Sequence, residues 1–156
     1  MLPTWVFSAD PVPVSPMPET LKSKAQNAET LVRAQFQSEF GHEPKTNREL
    51  LEWLDQKSLA SKSLDDRQKD ELVQSYGAVL GQVLIHELGG HWVIVPSQGN
   101  SPGVDLPNGK VAFVFNRAGR RIFDADPIGF VKFFDTSASY VHGNMLPEGV
   151  EPKVKR

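Results

Sequence analysis

The sequence predicts an α+β fold, with N-terminal helices and a long buried central helix packed on a small antiparallel sheet, followed by short C-terminal helices. Three observations carry that expectation. Apolar residues recur at three- and four-residue steps from Glu19 to Phe40, the period of a helix with one buried face. From Tyr76 to Glu87 almost every side chain is apolar or small, so this half of a helix is enclosed on most sides. After Gly89-Gly90 the pattern turns β-rich around Pro107-Asn108-Gly109, and Asn-Gly between apolar runs is the strongest short hairpin signal. A chain of 156 residues with 39% hydrophobic residues can bury one substantial core, and nothing in it demands a second domain.

The elements follow in order. Prolines at positions 3, 11, 13, 16 and 18 each remove a backbone donor and disfavour helix in the preceding residue, so residues 1–18 are expected as an extended arm. Trp5 and Phe7 either pin that arm to the body or act as a short motif that docks in a partner's groove. A single domain is expected over 19–134. Its first helix directs Leu21, Ala25, Ala28, Leu31, Val32, Phe36 and Phe40 inward and ends at Gly41. Thr46, with Glu49 three residues on, has capping-box spacing and opens a short second helix carrying Leu50, Leu51, Trp53 and Leu54. Ser63 and Asp66 repeat the spacing and open the third, whose early acids suit the helix dipole. Gly77 and Gly81 leave two bare spots on one face of that helix. Glycine costs about 1 kcal/mol inside a helix, and close approach of another backbone is the expected use of the space.

Strands are expected at Trp92–Val95, Val104–Leu106 and Lys110–Phe115, with a loop from Pro96 to Pro102 and one strand face buried on the central helix. Residues Asn116 to Phe123 read as a helix capped by Asn116, with Ala118, Ile122 and Phe123 inward. The alternative is a turn at Arg117-Ala118-Gly119-Arg120 into another strand. Pro127 suits a first helical position, and Ile128, Phe130, Val131, Phe133 and Phe134 anchor a short terminal helix or a strand. From Asp135 order is expected to fade, which leaves 135–156 as a flexible C-terminal tail with a basic end.

Composition narrows the chemistry. A net charge of −2 and a pI of about 6.1 argue against a general grip on nucleic acid, which needs clustered excess Lys and Arg. The absence of cysteine excludes disulfides, thiolate metal sites and thiol nucleophiles. The N-terminal segment has neither the basic start nor the continuous apolar stretch of a signal peptide, and the longest apolar run is far shorter than the roughly 20 residues of a membrane span. The expected protein is therefore soluble, unexported and cytoplasmic, with no membrane or nucleic-acid partner.

His86-Glu87-Leu88-Gly89-Gly90-His91 invites comparison with the zinc-protease His-Glu-x-x-His motif, in which the second histidine lies four residues after the first. Here it lies five residues on, a rotation of about 140°, and Gly89-Gly90 ends the helix before it. No metal and no cofactor are expected. A metal-dependent hydrolase that uses His86, Glu87 and His91 after a bend stays open as an alternative function. Asp124 and Asp126 read as an Asx turn and a cap, although two converging carboxylates also suit a hard cation. Arg117, Arg120 and Arg121 form the densest basic cluster, and on a helix Arg117 and Arg121 share one face, suited to bidentate pairing with carboxylates. Neither a nucleophile elbow nor a phosphate-binding glycine loop occurs.

The Tyr76-Gly77-Ala78-Val79-Leu80-Gly81 helix, the Gly89-Gly90-His91-Trp92-Val93 turn and the Phe115 to Phe134 close resemble a group of small bacterial α+β domains of unassigned function, a style found among immunity proteins that neutralise polymorphic toxins. The resemblance covers roughly residues 70–134 and carries over no catalytic or binding residue. It implies a non-enzymatic binding protein that occludes the active site of a cognate toxin or effector. Asp105 and Asn108 at the hairpin tip, with Arg117, Arg121, Asp124 and Asp126, are the expected contact residues. A structural or adaptor subunit that binds through the arm is the remaining alternative.

Overall fold

A computed structural model describes residues 13–143. Trp5, Phe7 and the rest of the expected arm up to residue 12, together with the basic end of the chain, lie outside the described residues. The fold is α+β, as expected, and among the described residues it contains five α-helices and one four-stranded antiparallel sheet.

The chain enters through β1 (Ser15–Pro16), so the end of the expected arm is an edge strand. Helices α1 (Glu19–Phe40) and α2 (Asn47–Leu59) follow, then a 3-10 turn (Ala60–Ser63) and the central helix α3 (Asp66–Leu88). Strands β2 (His91–Val95), β3 (Ser101–Asp105) and β4 (Val111–Ala112) complete the sheet, and α4 (Val114–Phe123) and α5 (Phe130–Val141) follow. The sheet order is β1-β2-β3-β4, a meander. Register places Ser15 opposite Ile94, Trp92 opposite Val104 and Val104 opposite Ala112.

Helix ends show how local chemistry sets the boundaries. Gly41 (φ 78) and Gly89 (φ 87) adopt the left-handed conformation that lets their N–H groups bond back to Gln37 and Ile85, as helix C-termini require. Thr46 caps α2 by accepting from Glu49 N at 3.0 Å. The cap of α3 is Asp65, not Ser63: its carboxylate accepts from Gln68 N at 2.8 Å and the Gln68 side chain accepts from Asp65 N at 3.1 Å. Ser63 is taken up by the preceding 3-10 turn, which moves the start of the helix to the next residues with the right spacing.

The ambiguous segment is helical. It begins at Val114, two residues before the expected cap Asn116, and thereby cuts the expected strand at Ala112. The hairpin turn stands as read: Leu106 N donates to Lys110 O and Gly109 N to Leu106 O, both at 2.8 Å, with Gly109 at φ 83. Pro127 lies outside any helix, because the start of α5 is fixed from a distance. The Asp55 carboxylate of α2 accepts from Phe130 N at 2.6 Å and Val131 N at 3.2 Å, and it fills the space where a side chain on Gly129 would stand. Order does not fade at Asp135. There α5 continues to Val141, its buried Ser137 bonds to Phe133 O at 2.8 Å, and Asp135 pairs with Arg48 through two bonds of 2.8 and 3.0 Å.

The core gathers around α3. Val79, Leu80, Val83 and Leu84 meet Leu50, Leu51 and Leu54 of α2, Val32 and Phe36 of α1, and Phe130 and Phe133 of α5. Phe123 of α4, expected inward, is exposed (41%), and so are three such residues of α1: Leu21 (39%), Leu31 (65%) and Phe40 (49%). Leu31 lies off the stripe formed by Ala25, Val32 and Phe36, whereas Leu21 and Phe40 continue it by one turn at either end. Val93, Val95, Val111 and Phe113 form a second buried cluster, so strand β2 is buried on both faces and not on one.

Candidate functional site

A half-open apolar groove of about 250 Å³ separates the start of α1 from α3. Leu21, Ala25 and Ala28 line it from α1, and Gln74, Ser75 and Ala78 from α3. Alanines at these positions keep it empty. Trp92 and Phe115 line it with stacked rings whose centroids are 5.9 Å apart at 24°.

Those rings answer the question posed by the two helical glycines. A side-chain carbon on Gly77 would collide with the Phe115 ring, and one on Gly81 with the Trp92 indole. At Gly77 the backbone of Phe115 approaches nearly as closely as its ring, the close approach expected of the spacing, whereas at Gly81 the bare spot takes the Trp92 indole. Dispersion contact of flat rings with uncovered helix backbone is what offsets the cost of the glycines. Among the described residues Lys24 is the one charged residue that lines the groove.

A chain of polar groups fixes the Trp92 ring from behind. Trp92 Nε1 donates to Gln82 Oε1 at 2.7 Å, and Gln82 Nε2 donates to Glu29 Oε1 at 3.0 Å. Only this orientation of the amide satisfies both neighbours, since an indole N–H can only donate and a carboxylate only accept. Arg33 Nε donates to Glu29 Oε2 at 2.8 Å, and His86 Nε2 lies 3.5 Å from Glu29 Oε1. Arg33 then reaches Asn47 at 2.6 Å, and Asn47 reaches Glu87 at 2.7 Å. Burial pushes the Glu29 carboxyl up, but hydrogen bonds from Gln82 and Arg33 and the charges of Arg33 and His86 outweigh it and hold the group below its ordinary range. Glu29 is consequently ionised where Gln82 needs an acceptor.

The residues expected to act together are dispersed. His86 faces Glu29, Glu87 faces Asn47, and His91 faces Asp105 across the β2–β3 pair at 3.6 Å. The convergence that the hydrolase alternative requires does not occur, because Gly89 ends α3 and sends His91 into a strand. Among the described residues no group of three or more His, Asp or Glu could hold a metal ion.

Arg117 and Arg121, expected at the contact surface, lie inside the fold. Both are buried, so neither belongs to an outer contact surface. They share a stripe with Val114, Ala118 and Ile122, the inward face of α4, and the four-residue spacing that suggested a common face also put them on this one. Arg117 Nη2 pairs with Asp126 Oδ2 at 2.7 Å. Arg121 donates to Ser58 Oγ at 3.1 Å and Asp126 O at 2.8 Å. Burial is the main force on Arg117 and draws its pKa down despite Asp126. Asp126 is itself pushed up by burial, and Arg117, the Ile128 N–H and Arg120 bring it below its ordinary value. Its carboxylate also accepts from Ile128 N at 2.9 Å, the Asx turn expected of it. Asp124 is exposed at the end of α4, and Asp105 is half-buried on β3. Asn108, exposed at the hairpin tip, accepts from Lys110 N at 3.2 Å and donates to Tyr140 O at 3.4 Å.

The groove and its polar backing were not anticipated as a site. The signals were present: two glycines in need of a purpose, and Gln82 alone among apolar neighbours. Compared with family models, curated proteins and solved structures, the chain matches none. Its site is therefore defined by geometry. The groove can hold an apolar group against a pre-set aromatic surface with a cation at the edge. No helix among the described residues is long and apolar enough to cross a membrane.

Proposed function

We propose that this protein is a non-enzymatic protein-binding module of the immunity type, which neutralises a cognate bacterial toxin or effector in the cytoplasm by occluding its active site. The observation that supports this reading is the groove lined by Trp92 and Phe115. Interfaces are anchored by buried aromatic groups in well-packed pockets surrounded by weaker contacts, and an anchor site set before binding loses little entropy on association. Gln82 supplies that order by holding the Trp92 ring. The partner surface is accordingly centred on the groove instead of on the buried pair Arg117 and Arg121.

The test is affinity capture of the tagged full-length protein from its source organism, with the captured partner identified and its activity assayed. The expected result is one stoichiometric partner bearing a toxin or effector domain, inhibited at a one-to-one ratio, and lost when the groove is filled by Ala28→Phe. A captured partner whose activity is unaffected, or one that Ala28→Phe retains, would overturn the proposal.

A further inference from the structure

The protein-binding reading can be taken one step further, to the chemistry of what enters the groove. We infer that the partner inserts one aromatic side chain against Trp92 and Phe115 and places an Asp or Glu, within about one helical turn of that ring, on Lys24. This inference rests on the functional reading above.

The volume limits the occupant first. About 250 Å³ is below the roughly 300–1,000 Å³ of small-molecule sites, which suits a single large side chain. The lining then selects its type. The part-exposed Phe115 ring, stacked at 5.9 Å on the Trp92 indole of which 5% is open, favours another ring, because aromatic pairs gain from offset and edge-to-face contact beyond simple area burial. The Trp92 N–H is already committed to Gln82, so the indole has its ring and no donor to offer. Gln74 and Ser75 supply neutral polar groups to the lining, and charge specificity comes from the edge, where among the described residues Lys24 is the only charged lining residue and makes no ion pair. Glu29, the acid one turn along α1, is taken up by Gln82, Arg33 and His86. A partner carboxylate therefore meets an uncommitted cation.

The alternative mode, addition of a partner strand to the sheet, is disfavoured at the nearest edge. Strand β1 is two residues long and contains Pro16, which has no N–H to donate, and proline on an edge blocks pairing. Side-chain insertion is the mode that this edge leaves available.

The experiment titrates ¹⁵N-labelled full-length protein with the peptide acetyl-Ala-Trp-Ala-Ala-Glu-amide and with versions carrying Gln or Lys at the last position. Expected are shifts at Ala25, Ala28, Ala78 and the Trp92 indole, with the Gln peptide up to about fivefold weaker, the upper value of an exposed ion pair. Lys24→Glu should invert the order, so that the Lys peptide binds best. Leu21→Asp, a change at an exposed position, should weaken all three without disturbing the fold. Equal affinity of the Glu and Gln peptides, or shifts confined to other surfaces, would overturn the inference. So would contacts in the free protein between the Trp92 ring and Trp5 or Phe7, which would make the chain's own segment the occupant. The two proposals fail separately. If capture yields no toxin-bearing partner while the peptides behave as described, the functional reading falls and the groove chemistry stands. If Ala28→Phe releases the partner but Lys24→Glu retains it, the groove is the site and the carboxylate requirement falls.

Discussion

Replacing Gln82 with Leu removes both hydrogen bonds of the central amide while keeping a side chain of similar length. Trp92 Nε1 is then left with no acceptor in a buried position, at about 1–3 kcal/mol, and Glu29 loses a donor to a charged group, at about 1.5–3 kcal/mol. Burial of the added apolar surface returns up to about 2 kcal/mol. With each contribution at mid-range the net destabilisation is about 3 kcal/mol, which at roughly 3 °C per kcal/mol for a chain of this length is a fall in Tm of about 9 °C. Thermal unfolding followed by circular dichroism measures the shift. A double-mutant cycle with Trp92→Phe sharpens it: Phe has no N–H to strand, so the second substitution should cost at least about 1 kcal/mol less in the Gln82→Leu background than in the native protein. A Tm change under about 3 °C, or additive effects, would refute the account of Gln82 as the group that holds the Trp92 ring.

Gly81→Ala should destabilise by about 1–3 kcal/mol through collision with Trp92, as over-packed cores do, although alanine is the better helix former; a urea midpoint at or above that of the native protein would contradict this. Asp55→Ala should accelerate amide exchange at Phe130 and Val131 and cost about 0.5–2 kcal/mol, the range of a lost helix cap, with uniform acceleration across α1 to α3 as the contrary result. Glu29 and Asp126 both have folded pKa values below their ordinary ones of 4.5 and 3.8, so the stability they contribute is complete above those values and is lost as pH falls through the depressed ones. Urea midpoints should decline from about pH 4.5 downward, and less steeply in Glu29→Gln; a flat profile from pH 5 to pH 3 would rule the linkage out. Burial, assisted by the charge of Glu39, raises the Tyr76 phenol to about 12. Ultraviolet titration of Tyr140→Phe should show that midpoint, and ionisation near the ordinary value of 10 would show Tyr76 to be open to water.

The sequence made the helices legible where periodicity and caps agreed. Thr46 and Glu49 opened α2, and the apolar second half of α3 became the centre of the core. It misled where one spacing had two readings. Ser63 and Asp66 looked like a capping box, but Asp65 and Gln68 have the same separation and win because both reciprocal bonds close there. Arg117 and Arg121 share a face under any helical reading, and only the packing of α4 shows that this face points inward. The groove was partly written in Gly77 and Gly81, which announced the close approach of a backbone, met at Gly77 by Phe115, but not the rings of Phe115 and Trp92 that fill the space. Asp55 could not have been read as the cap of α5, since 75 positions separate it from Phe130 and no local pattern spans that distance.

That distant cap imposes an order of events during synthesis. As the chain leaves the ribosome from its N-terminus, the last helix emerges when α2 is already exposed and available. Its first turn has no side-chain acceptor of its own at Gly129, so the caps on Phe130 N and Val131 N form once α2 presents the Asp55 carboxylate. Closing that loop of 75 positions before the contact forms makes it a slow, non-local step. Among the described helices α5 is therefore the last to receive its cap, and a chain stalled or cut before Phe130 would leave Asp55 and the facing core of α2 uncovered.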